Sequence, residues 1–134
     1  MTTGRKLLFA LVTMLVLLGF GYVWGASGRG ALQAIADESR EALDLAEARG
    51  AILEARVSLY NNNFGDASRR LEESKDALRR LKTRFADADE DQNAASVDSA
   101  LKHVEEAQRL AGKLDAAAQS VATKAHETLK TLTR

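Results

Sequence analysis

Apolar and small residues recur along most of this chain at alternating spacings of four and three, and no proline interrupts them. An α-helix turns once every 3.6 residues, so positions spaced this way share one helical face. The first row runs Leu32, Ala36, Ser39, Leu43, Ala46, Gly50, Leu53, Val57 and Tyr60, predicting a helix over about 31–60. Asn61, Asn62 and Asn63 then break the pattern. Asparagine is one of the few residues besides glycine that tolerates the left-handed conformation ending a helix, so a tight turn is expected there. A second row, Phe64, Ala67, Leu71, Ser74, Leu78, Leu81 and Phe85, predicts a helix over about 64–86. The third runs from Val97 through Leu101, Val104, Ala107, Ala111, Leu114, Ala118, Val121 and Ala125 to Leu132, predicting a helix over about 95–132 that Gly112 weakens or bends. Short turns between apolar stripes imply antiparallel neighbours. The expected fold of 31–134 is therefore an all-α, elongated, antiparallel three-helix bundle. Its packing seam is expected to comprise Leu43, Leu53, Val57, Tyr60, Phe64, Leu71, Leu78, Phe85, Leu101, Leu114 and Val121.

Upstream, residues Leu7 to Trp24 carry no charge. At about 1.5 Å per residue this run nearly covers a hydrocarbon core of about 30 Å, so a single transmembrane helix over 7–24 is expected, with Leu7, Leu11, Leu15, Leu18, Tyr22 and Trp24 as anchor residues. Arg5 and Lys6 precede it, and Tyr22 and Trp24 close it with rings suited to a membrane boundary. The positive-inside bias leaves 1–6 cytoplasmic and exports the remainder, as in a single-pass protein of a bacterial inner membrane with its domain on the periplasmic side. A cleaved signal peptide ending near Ser27 is the alternative. Gly21 and Gly25 form a pair that lets two helices approach closely, so a homo-oligomer is among the expected partners, besides the lipid bilayer and an unidentified protein. Three glycines within 25–30 predict a flexible joint before the bundle.

Net charge is zero, so no overall field favours nucleic acid, and none is expected as a partner. Locally the charges are segregated. Asp37, Glu38, Glu41, Asp44, Glu47 and Glu54 mark the first predicted helix, whereas Arg69, Arg70, Lys75, Arg79, Arg80, Lys82 and Arg84 mark the second. Pairing across a hairpin is expected, selecting the orientation of the helices more than stabilising them. The basic run Arg79–Arg84 reads as a solvated face opposing those acids rather than a phosphate site.

The segment from Ala55 to Ser74 resembles one tetratricopeptide-repeat unit, with Ala55, Phe64, Ala67, Leu71 and Ser74 at positions where that family favours small, aromatic, alanine, large apolar and small residues. It departs from the family pattern at Ala51, Glu54, Ser58, Asn62 and Arg79. The resemblance implies a helix-turn-helix used as a protein-interaction scaffold.

For chemistry, the most pointed pattern is Asp87, Asp89, Asp91, Asn93 and Asp98, the oxygen-ligand spacing of a calcium-binding EF-hand loop. Gln92 stands where that loop needs glycine, and Asp98 is shorter than the usual bidentate glutamate. An acidic loop favouring the following helix N-terminus explains the same residues. His103 and His126 are the only histidines, and one continuous helix would hold them too far apart to share a metal. No nucleophile elbow, phosphate loop or cofactor motif is present, so neither catalysis nor a cofactor is expected. The expected function is a non-enzymatic, membrane-anchored helical scaffold or accessory subunit of a larger membrane or periplasmic assembly. A calcium-responsive binding module using 87–98, or a secreted helical adaptor or chaperone, is the alternative.

Overall fold

The computed structural model describes the backbone of residues 3–132 and the side chains of 11–17 and 32–132. Four α-helices make up the described chain: α1 (Thr3–Tyr60), α2 (Phe64–Asp87), α3 (Asp91–Ala111) and α4 (Ala117–Lys130). The chain divides into two compact units, Met1–Ser39 and Arg40–Arg134.

In the first unit the backbone is helical throughout 3–39. Residues 25–30, expected to be a flexible joint, are helical too. Glycine lowers helix stability by about 1 kcal/mol relative to alanine but does not forbid the conformation, as proline would. The transmembrane expectation is corrected: among the described residues no helix is long and apolar enough to cross a membrane. Side chains within the apolar run are described from Leu11 to Leu17. Leu11 and Leu15 are exposed on it, while Leu7, Leu18, Tyr22, Trp24 and the Gly21/Gly25 pair lie outside the described side chains. The single-pass topology and the periplasmic placement that followed from the anchor fall with it.

The second unit is a four-helix bundle, not the three-helix bundle expected. Ser58 hydrogen-bonds Asp66, Arg70 pairs with Glu54, and Arg80 with Asp44, so the end of α1 runs antiparallel to α2. Gln108 reaches Ser68 and Glu72 while Lys82 pairs with Asp98, making α3 antiparallel to α2. Arg49 donates to the Leu129 carbonyl at 2.6 Å, which brings α4 back beside α1. The core is continuous. Ala48, Ile52, Ala55 and Leu59 come from α1, Ala67, Leu71, Ala77, Leu78, Leu81 and Phe85 from α2, Val97, Ala100, Val104, Ala107 and Ala111 from α3, and Ala118, Ala122, Ala125 and Leu129 from α4. Alanine is the majority on the buried faces of α3 and α4, while α2 supplies most of the large side chains.

One backbone device makes all three turns. A residue in the left-handed region follows each helix: Asn62 (φ 57°), Asp89 (φ 58°) and Leu114 (φ 57°). The next N–H then reaches back five residues, from Asn63 to Ser58, Glu90 to Phe85 and Asp115 to Leu110, at 2.8, 2.8 and 3.0 Å. This Schellman arrangement satisfies carbonyls that a helix end leaves open. The third turn was not foreseen. Gly112 keeps a right-handed φ of −62°, and the reversal falls on Leu114, after which the Asp115 carboxylate accepts the Ala117 N–H at 2.8 Å and caps α4. Leu114, expected in the seam, is instead 71% exposed.

A left-handed leucine costs roughly 1–2 kcal/mol, partly offset in any glycine replacement by the greater freedom of the unfolded chain. Leu114→Gly is therefore expected to stabilise the bundle by about 0.5–1 kcal/mol and to raise Tm by a few degrees, read by thermal circular dichroism. A lower Tm would show that the leucine side chain supports the turn through packing that outweighs its strain.

Candidate functional site

Helix α1 carries two apolar stripes in the second unit, separated by about 160° at about 100° per residue. The inner stripe, Ala48, Ile52, Ala55 and Leu59, is buried in the bundle. The outer one contains Leu43, Ala46, Gly50, Leu53, Val57 and Tyr60, and the bundle does not cover it: Leu43 is 69% exposed, Val57 61% and Tyr60 80%. Leu53 is exposed as well. The expectation that Leu43, Leu53, Val57 and Tyr60 line the packing seam is thus corrected. The outer row faces outward because the inner row, alanines with Ile52 and Leu59, is the one packed into the core shared with α2 and α4. By contrast Leu71, Leu78 and Phe85 are buried, and Phe64, Leu101 and Val121 are partly buried against the core.

The outer stripe has edges of opposite sign. Towards α2 lie Glu47, bonded to Arg80 at 2.7 Å, and Glu54, bonded to Arg70 at 2.9 Å. Towards α4 lie Arg49 and Arg56, whose Nε atoms are buried without hydrogen-bond partners. Arg49 spends one Nη–H on the Leu129 carbonyl. Beside them His126 is buried with its Nδ1 also unpartnered, and its pKa is lowered by burial and by the charges of Arg56 and Lys130. Burial of His126 was not legible in the sequence, because its row only becomes an inner face once α4 turns back on α1.

At the α1/α2 contact Asp44 is only 7% exposed and takes hydrogen bonds from Arg80 at 2.8 Å and Arg84 at 2.9 Å. Burial pushes its carboxyl up, but the bonds and charges of the two guanidinium groups outweigh this and hold it below the usual carboxylate range. The basic run Arg79–Arg84 is thereby occupied: Arg80 and Arg84 with α1, Arg79 with Asp76, and Lys82 with Asp98.

The acidic pattern does not fold as a twelve-residue loop. Asp87 ends α2, Ala88, Asp89 and Glu90 make the turn, and everything from Asp91 onward is α3. Asn93 donates to Glu90 at 2.6 Å. Asp98 lies seven helical positions beyond Asp91, about 10 Å along the axis, too far to share one ion's ligand shell. Lys102 and Lys82 both bond its carboxylate and hold its pKa down to about 2. Among the described residues no three His, Cys, Asp or Glu side chains group as a metal site. Millimolar calcium is therefore expected to leave Tm where matched ionic strength puts it, since a ligand selective for the folded state would raise it. A chelator-reversible rise, abolished by Asp87→Asn with Asp91→Asn, would show that the turn reorganises around calcium.

The residues that suggested a tetratricopeptide-like unit sit at the α1/α2 turn, with Ala55, Ala67, Leu71 and Ser74 buried. Comparison with family models, curated proteins and solved structures finds no match to this chain.

Proposed function

We propose that this chain is a non-enzymatic helical scaffold that binds protein through the outer face of α1. The observation that carries this reading is the exposed row Leu43, Leu53, Val57 and Tyr60 on a helix whose opposite face is already packed. Contiguous apolar surface bounded by charge marks protein interfaces, whereas isolated exposed leucines do not. Leu53, Val57 and Tyr60 fall at i, i+4 and i+7, the spacing with which a helix presents anchors to a partner. A photo-reactive residue at Val57 should form adducts with protein in producing cells, while one at the exposed Ser120 of α4 should not. Equal or absent labelling at the two positions would defeat the proposal.

A further inference from the structure

We infer that the occupant of the outer α1 face is a second copy of the same chain, docked parallel and in register. This rests on the reading of that face as a protein-binding surface. In the sequence the alternation of four and three extends from Leu32 to Tyr60, four heptads, which is the length over which a seven-residue repeat specifies a coiled coil. Inside the bundle α1 uses the other stripe, so this row is left to a partner.

Charge selects both the partner and the direction. In a parallel pair, the edge preceding one apolar row faces the opposite edge of its twin; in an antiparallel pair, like edges meet. Here one edge carries Arg49 and Arg56 and the other Glu47 and Glu54. Parallel docking sets Arg49 of each copy near Glu54 of the other, twice by symmetry. Antiparallel docking would set arginine against arginine and glutamate against glutamate near the centre. Between the large residues, Ala46 and Gly50 let the helices draw together, and a Cβ at Gly50 would meet nothing within 4 Å, so the close approach is open.

The chain contains no cysteine, so single cysteines report geometry directly. In the full chain, Leu43→Cys and Tyr60→Cys are each expected to oxidise to disulfide-linked dimers, because in a parallel register both residues meet their own twins. Ser120→Cys on exposed α4 should remain monomeric under the same conditions. Sedimentation of the unmodified chain should give a dimer, and Leu53→Asp with Val57→Asp should give a monomer of unchanged helical content, since both residues are exposed. Linkage of Ala46→Cys without Leu43→Cys and Tyr60→Cys would overturn the parallel register. Monomeric sedimentation without linkage would overturn self-association. If Val57 then still labels another protein in cells, the scaffold reading survives; without such labelling it falls as well.

Discussion

A chain carrying both Leu71→Asp and Leu78→Asp is expected not to fold its second unit. Both leucines are fully buried on α2, the helix that supplies most of the large side chains to the core. Each substitution removes a buried leucine, a loss of about 2–5 kcal/mol by analogy with truncation to alanine, and adds a carboxylate with no counter-charge. The combined loss exceeds the roughly 5–15 kcal/mol stability typical of a domain or consumes most of it. Far-ultraviolet circular dichroism should show lost helicity, and the cooperative thermal transition should vanish. A native spectrum and Tm would mean that this α2 face is not the core. The same pair of charges placed at Leu53 and Val57, outside the bundle, should leave folding intact, which separates the inner from the outer row in one experiment.

The second large effect is expected at Asp44. Asp44→Asn leaves Arg84 without its carboxylate and Arg80 with Glu47 alone. Breaking a buried pair costs about 3–5 kcal/mol, but both arginines are partly exposed and screened, so the expected loss is about 1–3 kcal/mol at neutral pH. The pH dependence has a defined sign. A carboxyl whose folded pKa is depressed stabilises the protein above its unfolded pKa of about 3.9 and ceases to do so as pH falls through the folded value. The parent protein should therefore lose stability progressively below about pH 4, with Asp98 adding to the fall down to about pH 2. Because the asparagine does not titrate, the Tm gap between parent and variant should narrow across that range. A gap independent of pH would show that the ion pairs at Asp44 contribute nothing through its charge.

The absence of proline and the alternation of four and three determined, by themselves, that this chain is helical. They also located α2, because its single dominant stripe, Leu71, Leu78 and Phe85, offers only one face to bury. The Asn61–Asn63 turn was legible for a local reason: a residue that accepts positive φ stands where the pattern breaks. Tertiary structure alone decided the rest. Helix α1 has two rows able to pack, and periodicity cannot rank a row of alanines with Ile52 and Leu59 above one with Leu43, Leu53, Val57 and Tyr60. Closure of α2 and α4 on the inner row into one shared core decides it. The same closure divides the third predicted helix: α4 can reach α1 only if the chain reverses, and it does so at Leu114, a residue with no preference for the left-handed turn that packing imposes on it. Asp98, too, reads as a possible metal ligand in sequence, and is claimed by Lys82 only because α2 and α3 lie side by side.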